Sequence, residues 1–200
     1  MWKLKPIFGH GLKSFRFVCW DILSKTKKKG LSCLFTLRHP DHGGEFFGTE
    51  AERVLINQSA LEAGADIIDM EWGTEALDAM AEKNAPIVIS HHDFKAMPSI
   101  EVLEELTSEM ESFYPDAIKF VPTSSTLVHS VQMLKWVGNR TRDIARIGFA
   151  MGQKGACSRI MTTVYGAPIT YASFGEAVAP GQLSMDALIN CYRVSDLNDG

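Results

Sequence analysis

The chain is 200 residues long, 46% hydrophobic and 22% charged, which suits one sizeable folded domain and excludes a disordered chain. Its 20 basic and 24 acidic residues leave a formal net charge of −4, so there is no general electrostatic reason to bind nucleic acid. No apolar run reaches the roughly 20 residues that span a bilayer, because Phe15–Leu23 is broken by Arg16 and Asp21. The charge is unevenly spread. Residues 1–29 carry eight basic side chains against Asp21 alone, while the remainder carries 12 basic and 23 acidic residues. That contrast marks 1–29 as a divergent basic segment, with at most one helical pattern at Phe15–Lys28, set apart from the domain at 30–200. Cys19, Cys33, Cys157 and Cys191 form no CxxC pair, which predicts reduced, mostly buried thiols in a cytoplasmic protein.

From residue 31 onward, β-rich runs alternate with helical patterns. Leu31–Leu37 reads as a strand after Gly30, closed by turn material from His39 to Gly44. Apolar residues at Ala51, Val54, Leu55, Ala60 and Leu61 predict a helix over Thr49–Ala63, with Thr49 as N-cap and Gly64 as C-cap. Ile67–Glu71 is the next strand, and Glu75–Lys83 a helix ending at Asn84. The continuous apolar run Pro86–Ser90 predicts a strand buried on both faces. A helix opened by Pro98 and Ser99 runs to about Phe113, followed by a strand at Ala117–Val121 and a helix at Ser125–Val137. Then come a strand at Ile147–Met151, a short helix at Ser158–Val164, a strand at Ile169–Phe174 and a closing helix at Met185–Tyr192. Strands separated by helices at this rhythm imply parallel βα units, in an open doubly wound sheet or a closed barrel. No GxGxxG or GxxxxGK(S/T) follows a strand, which disfavours the nucleotide-binding open sheets.

In a parallel barrel, chemistry gathers at the C-terminal ends of the strands. Here those ends carry Arg38, Asp69 with Glu71, His91-His92-Asp93, Lys119, and Gln153 with Lys154. Lys119 stands in an otherwise apolar strand and by alternation faces opposite to Ile118 and Phe120. Desolvation favours the neutral form of a buried lysine, and a neutral amine attacks carbonyls to form Schiff bases. An edge-strand lysine in solvent is the bland alternative. His92 follows the Pro86–Ser90 run, where histidine can move protons near neutrality and Asp93 could fix its tautomer. A metal site from His91, His92, His39 and His42 is disfavoured, because neighbours on a strand point to opposite faces. Asp69 and Glu71 face the same way, either orienting the lysine and histidine or forming a buried salt-bridge network. Gly152–Arg159 is a glycine-containing loop running into a short helix, and Arg159 can grip a carboxylate through two parallel hydrogen bonds. Ala179-Pro180-Gly181-Gln182 reads as a lid turn that brings Gln182 over a barrel mouth.

Together these residues resemble the type I 3-dehydroquinate dehydratases, the Schiff-base dehydratases of the shikimate pathway. The resemblance covers about residues 31–193. It rests on Phe35-Thr36-Leu37-Arg38 with Gly43-Gly44-Glu45, on Ile68-Asp69-Met70-Glu71 and on Ser90-His91-His92-Asp93-Phe94. It continues through Ile118-Lys119-Phe120-Val121, Ala150-Met151-Gly152 to Gly155 with Ser158-Arg159, and Ala179-Pro180-Gly181-Gln182-Leu183-Ser184. It implies a (β/α)8 TIM-type barrel, commonly dimeric, acting on the small molecule 3-dehydroquinate with no metal and no cofactor, and with no nucleic-acid or membrane partner. By the same likeness, Lys119 condenses with the C3 ketone, and His92 removes the C2 proton and then protonates the departing C1 hydroxyl. Arg159 and Gln182 hold the carboxylate and nearby hydroxyls, Arg38 contacts substrate oxygens, Glu71 and Asp69 are charge partners, and Met151 supports the pocket.

The family carries two further strands before Leu31–Leu37, the second with a Glu-x-Arg motif that this chain lacks. A barrel incomplete at its N-terminus, with about six recognisable βα units, is therefore expected. His42 stands where an acid often precedes the glycine pair, and Val178 where a serine usually precedes the lid turn. The alternative expectation is a catalytically impaired truncated remnant acting as a binding or oligomeric scaffold. An unrelated Schiff-base aldolase of the same barrel class is a third.

Overall fold

The computed structural model describes residues 21–140, 143–175 and 181–192. Most of the basic segment, Cys19, and Val178 with Ala179 and Pro180 lie outside them. Five parallel strands form one sheet in chain order: β1 (Leu34–Thr36), β2 (Ile67–Glu71), β3 (Ile87–Asp93), β4 (Ala117–Pro122) and β5 (Ala145–Gly148). The chain groups into two compact units that divide between Ser90 and His91, within β3.

In the first unit, residues 21–28 are helical and Leu23 packs with Ala60 and Ala65 against Cys33 and Phe35. Lys27 reaches Asp66 at 3.1 Å, and the other Asp66 oxygen accepts from the Cys33 N–H at 2.8 Å. This explains why β1 is shorter than Leu31–Leu37. The Leu31 N–H donates back to Thr26 and the Cys33 N–H to a side chain, so the ladder begins only at Leu34, opposite Ile67. Helix α1 (Glu50–Glu62) opens on a capping box in which Thr49 and Glu52 each accept from the other's backbone N–H. Its buried face is only partly the expected one. Ala60 is buried, but Arg53, Ile56 and Asn57 also face inward while Ala51 and Leu55 are exposed, because Arg53 meets the buried Glu71. Helix α2 (Glu75–Ala81) is capped by Thr74, and Asn84 leaves it in the left-handed region at φ 52°.

In the second unit, α3 (Ile100–Glu111), capped by Ser99, and α4 (Leu127–Gly138) supply Leu103, Met110, Met133, Trp136 and Val137 to a core shared with Ile118 and Phe120. Arg146 on β5 is buried there and meets both Glu104 oxygens at 2.9 and 2.8 Å, with its guanidinium over the Trp136 ring. β5 stops at Gly148 rather than at Met151. Beyond Gly148, the Phe149 and Met151 N–H groups still donate to Phe120 and Pro122 of β4, with an isolated bridge between Met151 and Thr123, while the Ala150 N–H donates to the Ser158 hydroxyl at 2.8 Å. Helix α5 is Ala156–Met161, earlier than Ser158–Val164. The expected strand Ile169–Phe174 is not one. Only Ser173 bridges, to Ser184, while Thr170 turns its hydroxyl to the Arg159 carbonyl. Five strands therefore stand in place of the six expected among the described residues, and the closing helix contains a π turn at Ala187–Cys191. The thiols also differ from expectation, with Cys33 half-buried and Cys157 exposed.

Candidate active site

Two clusters hold the predicted residues, one in each unit. In the first, alternation on β2 puts Asp69 and Glu71 on one face, both fully buried. Arg38, just beyond β1, donates from Nη2 to Asp69 at 2.8 Å and from Nη1 to Glu71 at 3.4 Å and Ser90 Oγ at 3.1 Å. The second Glu71 oxygen accepts from Arg53, which also reaches Glu50 at 2.8 Å. Ser90, opposite Glu71 in the register, donates its hydroxyl to Asp69. Two guanidinium groups thus balance two buried carboxylates, which is the condition under which buried charge is tolerated. Of the two readings of Asp69 and Glu71, the salt-bridge network is what the structure displays. Glu71 is held between two arginines and fixes Arg38 in place. Arg53 was not a predicted site residue, since its partner Glu71 lies 18 positions away and nothing local marks it.

In the second cluster, the face of each strand is set by aromatic packing. His91 meets the edge of Phe120 at 5.9 Å, and Phe120 meets Trp136 of α4 at 4.9 Å. Both therefore face the helices, and alternation turns His92 and Lys119 to the opposite side. The two histidines diverge as expected. They lie on β3 rather than beyond it, because the strand runs on to Asp93. His92 stacks on Phe94 at 6.2 Å. Asp93 Oδ1 accepts from the N–H groups of Lys95 and Ala96, so this oxygen closes the following turn.

Lys119 is only 4% exposed, which excludes the solvent-facing alternative. Its Nζ lies over the Tyr171 ring, 4.6 Å from the centroid. Tyr171 packs on Phe149 at 5.5 Å, and Phe149 lies beneath the Arg159 guanidinium at 4.2 Å. A ladder of two rings thus joins the lysine to the arginine. Tyr171 and Phe149 escaped the sequence reading, which placed Tyr171 inside a strand that does not form. Arg159 is 2% exposed, and its Nε finds no acceptor among the described residues. Desolvation pushes its guanidinium down to about 10, so it stays charged at neutral pH. A buried, charged and incompletely satisfied guanidinium is an anion acceptor.

Met151, buried after β5, ties its backbone to Pro122, the last residue of β4, and to Ser124 just beyond it. Gly181, at φ 71°, sits so close to Gly152 that a Cβ would come within 2.6 Å of the Gly152 carbonyl oxygen. This contact sets the turn carrying Gln182 against the glycine loop that leads to Arg159. Among the described residues, no group of three or more His, Cys, Asp or Glu side chains is placed to hold a metal ion, and no helix is long and apolar enough to cross a membrane.

The family model for Type I 3-dehydroquinase matches residues 15–199. The chain is 34% identical over 166 residues to a 3-dehydroquinate dehydratase of Dehalococcoides mccartyi, covering 79% of this chain and 73% of the relative. It is also 34% identical over 159 residues to a 3-dehydroquinate dehydratase of Thermococcus gammatolerans, covering 78% and 73%. The crystal structure of the type I 3-dehydroquinate dehydratase of Clostridium difficile, with covalently modified comenic acid, shares the fold with a TM-score of 0.83 at 24% identity, over 94% of this chain and 77% of that one. The parallel α/β architecture, the buried lysine with its aromatic ladder and these likenesses agree, and the chain belongs to the type I 3-dehydroquinase family.

Proposed function

We propose that this chain dehydrates 3-dehydroquinate to 3-dehydroshikimate through a Schiff base on Lys119, as a cytoplasmic homodimer without metal or cofactor. The observation that carries the reading is a lysine 4% exposed on an otherwise apolar strand, joined through two rings to a buried arginine. The Lys119 amine adds to the C3 ketone, and loss of water leaves an iminium. His92 takes the C2 proton while the C–H electrons move toward nitrogen to give an enamine. The enamine then expels the C1 hydroxyl, which leaves as water with the proton that His92 carries. Hydrolysis of the resulting conjugated iminium frees the product and the amine. In this reading Arg159 and Gln182 hold the carboxylate and nearby hydroxyls. Arg38, kept in place by Asp69 and Glu71, contacts substrate oxygens, and Met151 supports the pocket.

The test is intact-mass spectrometry of the purified chain after incubation with 3-dehydroquinate and borohydride. A reduced adduct mapping to Lys119 is the expected result. A folded chain that forms none overturns the Schiff-base reading and leaves the scaffold alternative. Sedimentation of the same sample checks the dimer.

A further inference from the structure

We infer that Tyr171 is a positioning residue for Lys119, its ring holding Nζ in place and keeping the Schiff-base nitrogen protonated. This rests on the Schiff-base reading above. Nζ lies 4.6 Å from the ring centroid, and the ring is itself backed by Phe149, tilted 53° at 5.5 Å. Phe149 is in turn covered by Arg159 at 4.2 Å. The aromatic face is therefore fixed from behind, on the same side of the strands as Lys119. Among the described residues, the titratable or charged side chains of this unit placed with them include His92, on the same face by alternation, and Arg159, at the far end of the ladder.

An aromatic face attracts a cation and is indifferent to a neutral nitrogen. Condensation begins with the neutral amine, whose lone pair attacks the ketone, and the carbinolamine then takes up one proton and loses water to give the iminium. The ring's attraction therefore acts on the positive charge that condensation places on nitrogen. What it opposes is loss of the iminium proton, which would leave a neutral imine far less able to draw electrons from C2. Removing the ring should let the nitrogen deprotonate at lower pH, while removing only the phenolic hydroxyl should change little. At the strength of a desolvated cation–π contact, the displacement is about one pH unit.

The experiment traps the full-length chain with 3-dehydroquinate and cyanoborohydride across pH 6–10, alongside kcat over the same range and circular dichroism to establish folding. The parent and Tyr171→Phe are expected to share one alkaline limb. Tyr171→Leu should move that limb down by about one unit, and Tyr171→Met, of similar length and without a π face, carries the same expectation should the leucine variant not fold. Leucine and methionine variants that keep the parental limb overturn the inference and leave the Schiff base standing. So does a phenylalanine variant that shifts as they do, since the hydroxyl would then be the active part. A folded parent with no adduct on Lys119 instead overturns the Schiff-base reading and this inference with it.

Discussion

The two clusters ask different things of their residues. Lys119→Ala is expected to abolish adduct formation, whereas His92→Ala should still form the imine and slow the elimination by roughly 10²–10⁴-fold, the usual effect of losing a general acid–base group. Single-turnover trapping beside steady-state rates separates the two, and an active Lys119→Ala variant contradicts the mechanism. Arg53 is different in kind. It is fully buried and shares Glu71 with Arg38. Arg53→Met would leave Glu71 buried with half its partners, and a loss of about 3 kcal/mol in denaturant-unfolding stability is expected. A loss below about 0.5 kcal/mol, the scale of an ordinary surface substitution, would show that the pair is not structural. Lys119 was legible because a charge inside an apolar strand is conspicuous. Arg53 was not, because three positions after Glu50 on a helix it looks like half of a solvated pair.

Elements whose ends depend on nearby residues were legible at those ends. Thr49 and Ser99 open helices where expected because caps are satisfied within three residues, while α2 ends at Ala81, two residues short of the expected Lys83. Strand ends depend on distant partners and shifted accordingly. β5 pairs from Ala145 opposite Ala117 only to Gly148 opposite Phe120, and the loop beyond it ties the Ala150 N–H to the Ser158 hydroxyl. The same loop yields a prediction. A Cβ on Gly155 would lie 2.2 Å from the Ala150 carbonyl oxygen, and a backbone atom cannot swing aside as a side-chain tip would. Gly155→Ala must displace the turn that launches α5 and with it Arg159. It should lower kcat/KM for 3-dehydroquinate by up to roughly 10²-fold while leaving the circular dichroism spectrum intact. Unchanged kinetics would mean that the turn yields without moving Arg159.

For the molecule as a whole, three exposed carboxylates contribute to the response to acid. The Cys33 backbone N–H and then Lys27 hold Asp66 below the usual aspartate value. The backbone N–H and hydroxyl of Thr49 do the same for Glu52, as does the Ser99 hydroxyl, followed by its own backbone N–H, for Glu101. Groups held low in the folded state add stability above their ordinary pKa, near 4, and lose it as pH falls through the lowered values. The thermal midpoint should therefore fall between about pH 5 and pH 2, and Asp66→Asn should flatten part of that slope. A midpoint indifferent to acid in the parent, or an unaltered slope in the variant, contradicts the assignment.

The sequence by itself determined the parallel α/β class, the helix caps, the family, and the opposed directions of His91 and His92, since each follows from local periodicity or from motifs in order. Tertiary structure alone decided that α1 buries Arg53 and Asn57 rather than Val54 and Leu55, that Glu71 is shared between two arginines, and that Tyr171 leaves the expected strand to lie beneath Lys119. The physical reason is common to all three. A buried charge is tolerated only where a partner meets it, and each partner here comes from an element far away in the chain.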